Sequence, residues 1–435
     1  MCKSLKNYIL IVGFGKSGKW AYNLALKLGY MPLIFDDAFM SVENCWIDFS
    51  SLDFAVVSPG VAPKHVLLQL LHEQGVPIIS EIEFCYLARE EKSPIIGVTG
   101  TNGKTTVVEM ISAVLKSEAI VAGNIGKTWS EAITKDEKAK WTVLELSSFQ
   151  LDNINLFKPQ IAVLTNFAPD HLDYHGNFDS YISAKMKLVQ NMSANDFVIY
   201  NGKDKEITKR INDNMKARKL YFCEEKMLGE GIYLSGCDVV LCFGGEEKTL
   251  FSLPFERHFE KHMILNILAA ALVCSLLGVD AGKIKEALLN FKPSMFRQEK
   301  IKNTLGIKII NDSKATNLSA VLMALAEHKP EVLLVGGKGK NESYISLFSM
   351  PAFHDLVVYG EMGGEIVECA KMCGFHNIVY YEKFDDAVKV ALKLTKKGET
   401  LLFSPAGSSF DQFSSYKERG ERFNFVIRSI ESENS

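Results

Sequence analysis

The stretch Ile95-Ile-Gly-Val-Thr-Gly-Thr-Asn-Gly-Lys-Thr-Thr106 decides how this chain is to be read. Its first half is short, apolar and rich in β-branched residues, as a buried strand requires, and a helical pattern over Thr105–Lys116 follows. Gly100, Thr101, Asn102 and Gly103 form a turn whose backbone N–H groups can wrap phosphate oxygens. Lys104 would place a point charge at the β- and γ-phosphates, and Thr105 or Thr106 would offer a hydroxyl to Mg²⁺. The spacing departs from G-x-x-x-x-G-K-[ST] because position 98 is Val. Strand, glycine loop and helix together predict a parallel α/β sheet with nucleotide phosphate at its edge.

Upstream the same punctuation appears. Tyr8–Val12, Met31–Phe35 and Phe54–Val57 read as strands and Ser17–Leu28 as a helix. Gly13-Phe-Gly-Lys-Ser-Gly18 fits G-x-G-x-x-G, and Asp36 and Asp37 end the next strand roughly 20 residues on. These residues alone leave three readings open: a dinucleotide cofactor, another nucleotide on the same helix N-terminus, or a tight strand-to-helix turn. The apolar run from Tyr8 to Phe14 is at the short limit for a signal peptide and no small-residue cleavage site follows, so a first strand is expected.

Downstream, strands are expected at Trp141–Leu146, Ile161–Thr165 and Phe197–Tyr200, a helix at Tyr181–Asn191, and a hairpin from Asp238 to Leu253. Met263–Val279 is apolar but interrupted by Asn266 and shorter than the ~20 residues of a membrane span, so it reads as a core helix. Beyond Phe291–Met295, five strands separated by helical stretches form a third α/β unit, with polar or glycine-rich loops Asn311–Asn317, Gly336–Lys340 and Ser404–Ser409. Lys314, Lys338 and Lys340 would make that edge cationic.

Composition narrows the class. The chain has 435 residues, 49 basic and 52 acidic, for a net charge of −3, which argues against a generic nucleic-acid binder. Nine cysteines without a C-x-x-C pair argue against a disulfide framework or zinc ribbon and fit a reducing cytoplasm. Cys369 and Cys373 are expected to pack a helix. Glu145 ends a strand where a carboxylate would face the phosphate site. Asp170, His171, Asp173 and His175 crowd one loop, which would either hold a metal or cap a helix; Lys185 by itself reads as an exposed lysine.

In this order, Gly100–Thr106, Gly123-Asn-Ile-Gly126, Glu145-Leu-Ser-Ser-Phe-Gln-Leu151, Thr165-Asn-Phe-Ala-Pro-Asp-His-Leu-Asp173, His262-x-x-x-Asn266, Arg297-Gln-Glu299, Asp312-Ser-Lys-Ala-Thr-Asn317 and Asp411-Gln-Phe413…Arg419-Gly420 resemble the Mur ligases. The resemblance runs from about residue 8 to 425 and implies an α/β chain of three domains. These are a Rossmann-like UDP-substrate domain at 1–92, a P-loop ATPase-like domain at 93–293 and a Rossmann-like amino-acid domain at 294–435. It implies ATP-dependent amide formation through an acyl phosphate in peptidoglycan precursor synthesis, with UDP-N-acetylmuramoyl-L-alanine and D-glutamate as small-molecule substrates. No nucleic-acid or membrane partner is expected, and a cytoplasmic monomer is.

The roles it implies are specific. Gly13, Gly15, Lys16, Ser17 and Asp36 would hold the UDP part, with Asn124 and Ser147 along the acyl substrate. Gly100 to Thr106, Asn266, Arg297 and Asp312 would bind ATP. Lys104, Glu145, His171 and Lys185 would be catalytic. Thr105, Glu145, His171 and a carbamylated Lys185 would serve two Mg²⁺ sites. Lys314, Thr316, Lys340, Ser409, Phe410 and Tyr416 would surround the incoming amino acid. The chain departs from the family at Phe296, where His is usual, and at Tyr174-His175. The alternatives are a related ligase with another amino acid, a dehydrogenase using Gly13–Gly18, and a nucleotide sensor without turnover.

Overall fold

The computed structural model of the chain describes residues 7–38, 47–90, 93–211, 215–254, 259–292, 295–339, 343–349 and 353–433. The first sheet comprises β1 (Tyr8–Val12), β2 (Met31–Phe35), β3 (Leu52–Val57) and β4 (Ile78–Ser80), with helices α1 (Lys16–Lys27), α2 (Val66–Glu73) and α3 (Glu81–Ala88). Its order is β2-β1-β3-β4 and every pairing is parallel. Because β2 and β3 flank β1, the chain reverses direction across the sheet after β1, and a crevice opens at the Gly13 loop.

The second sheet has nine strands: β5 (Ile95–Thr99), β6 (Ala119–Gly123), β7 (Trp141–Glu145), β8 (Ile161–Leu164), β9 (Phe197–Asn201), β10 (Arg218–Phe222), β11 (Gly231–Ser235), β12 (Asp238–Phe243) and β13 (Glu246–Ser252). Between and after them lie α4 (Lys104–Leu115), α5 (Trp129–Thr134), α6 (Ser148–Asp152), α7 (Leu172–His175), α8 (Phe178–Met186), α9 (Lys205–Thr208), α10 (Lys261–Leu276) and α11 (Ala281–Leu289). The order β13-β12-β11-β10-β9-β8-β5-β7-β6 places β5 between β7 and β8, so the switch point falls on the loop after β5. β11–β12 and β12–β13 pair antiparallel, and Gly244-Gly245 makes the expected hairpin turn. The apolar α10 packs on α4 inside one apolar core, as its composition predicts.

The third sheet contains β14 (Glu299–Ile301), β15 (Lys308–Asn311), β16 (Val332–Gly336), β17 (Asp355–Tyr359), β18 (Ile378–Tyr381) and β19 (Thr400–Ala406), in the order β14-β15-β19-β16-β17-β18. Its helices are α12 (Leu318–His328), α13 (Ile345–Phe348), α14 (Gly363–Met372), α15 (Phe384–Leu394) and α16 (Tyr416–Glu433). One core lies on each face of this sheet.

The chain divides into two compact units, Met1–Phe167 with Asp179–Phe291, and Ala168–Phe178 with Lys292–Ser435. The short strands β4, β6, β10, β11 and β14 were not legible in the sequence. The helix expected at Tyr181–Asn191 begins at Phe178 and tightens to a 3-10 turn over Lys187–Val189. Cys369 packs beside a core, whereas Cys373 ends its helix exposed, against the expectation of packing. No helix among the described residues is long and apolar enough to cross a membrane.

Candidate active site

The first unit carries two adjoining sites. After β1, Gly15 caps α1, so Lys16 and Ser17 open that helix beside Gly13. Gly13, Gly15, Lys16, Ser17, Asp36 and Asn124 all line one cleft of about 660 Å³, together with Gly126, Thr128, Gln150 and His65. The Lys16 ammonium donates to the carbonyl of Gly126. Asp36 accepts the Phe14 N–H at 2.5 Å and the Ala38 N–H at 2.9 Å. These two backbone donors, Phe14 foremost, hold its carboxyl below the usual range. Asp36 therefore shapes the glycine loop from the end of the next strand. Ser147 does not line the cleft: it forms a capping box with Gln150, and Gln150 is the residue of α6 that reaches it.

The loop after β5 opens α4 with Lys104, and Gly103 is its left-handed cap at φ +85°. Gly100 sits at φ +145°, where a Cβ would stand 1.9 Å from the Thr165 hydroxyl; only glycine fits there. A Cβ on Gly103 would meet Asn266 Oδ1 at 2.7 Å, which places Asn266 of α10 against the loop. Thr165 and Asn166, at the end of the neighbouring strand β8, secure it. The Thr165 hydroxyl donates to Asn102 O at 2.6 Å, and Asn166 Oδ1 accepts the Asn102 N–H at 2.9 Å. The sequence motif Thr165–Asp173 opens on these two residues, yet no role was assigned to Thr165 or Asn166 there.

Two lysines converge on one oxygen. Lys104 donates to the carbonyls of Gly100 and Thr101 at 2.8 and 2.7 Å, and Lys185 donates to the same Gly100 carbonyl at 2.8 Å. Their ammonium groups thus lie within about 6 Å of each other. Lys185, 2% exposed, is not the surface lysine its sequence position suggests; it lies 4.5 Å from the Tyr181 ring centroid. Thr105 and Thr106 are buried in the first turn of α4. Glu145, also 2% exposed, accepts the Asn124 amide at 2.8 Å through Oε1, while its buried Oε2 has no hydrogen-bond partner among the described residues. A buried carboxylate oxygen left over at a strand end, with a threonine hydroxyl opening α4, fits the hard-oxygen donor set of Mg²⁺.

The second unit holds the remaining candidates. His171 caps the single-turn α7 at φ +54°, its ring 3.6 Å from Asp170, and Asp170 accepts the Asn317 amide at 3.0 Å. Asp312 is buried: its Oδ2 accepts the Ser404 hydroxyl at 2.9 Å and its Oδ1 the Gln298 N–H at 3.2 Å. Arg419, wholly buried, joins two loops by donating to Ser313 O at 2.8 Å and Gly407 O at 3.0 Å. Beside them Lys314 stands 5.6 Å from the Tyr416 ring centroid, and Ser409 is buried in the loop after β19. Thr316 and Arg297 are half-buried and Phe410 is exposed. Lys340 lies outside the described residues. Phe296, the departure before Arg297, takes φ +63° with its buried ring against Gly420.

Sheets with their loops at switch points, one of them a lysine-bearing glycine loop beside a carboxylate oxygen without a hydrogen-bond partner among the described residues, fit a class of nucleotide-handling α/β enzyme. Residues 98–274 match the Mur ligase middle domain. A UDP-N-acetylmuramoylalanine–D-glutamate ligase of Christiangramia forsetii is 34% identical over 97% of this chain and 99% of its own length. One of Bacteroides fragilis is 35% identical over 97% and 99%. Among solved structures, a MurF ligase from Thermotoga maritima in complex with ADP shares the fold with a TM-score of 0.61 at 17% identity, over 100% of both chains. A pseudomurein peptide ligase type C from Methanothermus fervidus gives 0.60 at 19%, over 98% and 100%. The chain belongs to the Mur ligase family.

Proposed function

We propose that this chain joins the amine of D-glutamate to the L-alanyl carboxylate of UDP-N-acetylmuramoyl-L-alanine at the expense of ATP, in the cytoplasm and as a monomer. The substrate pair is supported by the relatives of that name, similar over nearly the whole chain. The observation that carries the chemistry is the phosphate loop at the β5 switch point, with Lys104 and Lys185 on one carbonyl and Glu145 beside it. In this reading residues 1–92 hold the UDP part, 93–293 the ATP, and 294–435 the amino acid.

The substrate carboxylate attacks the γ-phosphorus, the bond to the β-phosphate oxygen breaks, and ADP leaves. The amine of D-glutamate then attacks the acyl phosphate carbonyl, loses a proton and expels phosphate. Lys104 offsets the repulsion between carboxylate and triphosphate. Thr105 and Glu145 would hold one Mg²⁺, with His171 and Lys185 serving a second; the ions would neutralise phosphate oxygens. Lys185 is the proposed carbamate: CO₂ on its nitrogen would turn a cation held near Lys104 into an anionic ligand, removing about 3 kcal/mol of like-charge repulsion at an effective dielectric of ~20. Asp312 would contact ATP, and Lys314, Thr316, Lys340 and Ser409 would hold the carboxylates of the amino acid, with His171 or its neighbours taking the amine's proton.

Phosphate release with ATP, Mg²⁺ and UDP-N-acetylmuramoyl-L-alanine tests this, comparing D-glutamate, L-glutamate, L-lysine and no acceptor. Release that requires D-glutamate, with a product heavier by one glutamyl residue, is expected. Release with a different amino acid would replace the substrate and keep the mechanism. Intact-protein mass without one added CO₂ in the working enzyme would remove the carbamate, and sedimentation as a dimer would remove the monomer.

A further inference from the structure

The first turn of α3 buries two acids, Glu81 and Glu83, at 2% and 1% exposure. Side chains of this kind are almost never buried without partners, and here the partners are backbone N–H groups of the second sheet's connections. Glu83 accepts those of Asn155, Leu156 and Phe157 at 2.9, 2.7 and 2.9 Å. Glu81 accepts the Ser130 N–H at 2.7 Å and the Cys85 thiol at 3.4 Å through Oε1. It thereby caps α5 alongside that helix's own N-cap, Thr128. Glu81 Oε2 is buried with no hydrogen-bond partner among the described residues, and burial pushes the carboxyl up despite the donors around it, Ser130 first among them.

The two gripped segments lead to one wall of the 660 Å³ cleft. Asn124, Gly126 and Thr128 line it on the way into α5, and Gln150 lines it from α6, just before the segment that Glu83 binds. The facing wall is the Gly13–Ser17 loop of the first sheet, and α3 directly follows that sheet's last strand. We infer that Glu81 and Glu83 are positioning residues that fix the second sheet's wall against the first sheet's glycine loop and so set affinity for the diphosphate-linked substrate. The inference rests on the proposed reading of this cleft as the UDP-substrate site.

The two acids predict opposite responses to the same change. Glu83→Gln turns one of three-donor Glu83's acceptors into a donor facing N–H groups, whereas Glu81→Gln replaces a carboxyl that burial favours as neutral by a neutral isostere. Glu81→Ala removes the cap. UDP binding by calorimetry, the KM values for both nucleotide substrates, kcat and the melting temperature are measured on the full chain. Glu83→Gln and Glu81→Ala are expected to raise the UDP Kd and the KM of the UDP substrate about tenfold, with the KM for ATP and kcat within about threefold. Glu81→Gln is expected to restore the wild-type values. Folded variants that melt earlier yet bind UDP as the wild type does would overturn the inference alone, leaving a purely structural role. Should Glu83→Gln fail to fold, the contrast between Glu81→Ala and Glu81→Gln decides by itself, and equal affinities refute it. A wild-type chain that does not bind UDP overturns the reading of the cleft, and the inference with it.

Discussion

Lys104→Ala removes the charge that the proposed reaction sets against the γ-phosphate. On the stability side the change removes the ammonium's bonds to the carbonyls of Gly100 and Thr101, at 2.8 and 2.7 Å in a half-buried position. Two such bonds contribute about 2 kcal/mol net at most. In a chain of this size that lowers the melting temperature by only a few degrees. The catalytic side is larger. Two unit charges about 4 Å apart interact by about 4 kcal/mol at an effective dielectric of ~20. Loss of that term from the transition state slows turnover by about 10³. The assay is phosphate release at saturating ATP, UDP-N-acetylmuramoyl-L-alanine and D-glutamate, with a melt of the same preparation. A folded variant whose kcat stays within tenfold of the wild type would refute the assignment of Lys104 to the transferring phosphate.

Glu145→Gln keeps the Asn124 contact through its carbonyl but removes the charge beside the unpartnered oxygen; we expect a rise of at least tenfold in the Mg²⁺ needed for half-maximal rate. An unchanged Mg²⁺ titration would take Glu145 out of the metal site. Gly100→Ala pushes a Cβ to 1.9 Å from the Thr165 hydroxyl at φ +145°, and urea unfolding should show a loss of about 3 kcal/mol or more. Asp36→Asn tests the loop-shaping carboxylate. Its folded pKa is depressed, so the ionised form's contribution is present above the unfolded value near 4 and lost as pH falls through the folded one. UDP binding by the variant should be several-fold weaker than wild type at pH 6 to 8, the gap closing only in acid. A gap that instead opens in acid would refute that linkage.

What the sequence disclosed follows from where the chemistry sits. The loop at Gly100, Gly103 and Lys104 was legible because a tight turn from strand to helix restricts residue type at fixed positions after a strand. Phosphate is read by a contiguous loop, so its signature is contiguous too. Some sheet edges were not legible. β14 is three residues long and half-exposed, so it lacks the apolar run that marked β5 or β16, whereas the edge strand β18 at Ile378–Tyr381 was expected and is found. Lys185 was misread as exposed because its helix carries little amphipathic pattern: Tyr181, Ile182, Ala184 and Lys185 are all buried together. A lysine buried against a carbonyl that belongs to a loop 85 residues away has no local signal.

The same limit explains Glu81 and Glu83, and it bears on how such a chain distributes its constraints. In Glu81-Ile-Glu-Phe-Cys-Tyr-Leu-Ala88 the acids alternate with apolar residues and look like the solvent side of a helix turn; instead they face inward, because their partners are unpaired N–H groups on other connections. Each of those connections has to end a helix or turn close to the cleft, and each leaves backbone donors that its own residues do not satisfy. A carboxylate from the first sheet's helix satisfies them and in doing so fixes one substrate wall relative to the other. The demand that buried backbone be hydrogen-bonded and the demand that two walls keep their spacing are met by the same two side chains. That is why an exchange as small as nitrogen for oxygen at Glu83 should be read out in substrate affinity, and why the corresponding exchange at Glu81, whose second oxygen has no hydrogen-bond partner among the described residues, should not.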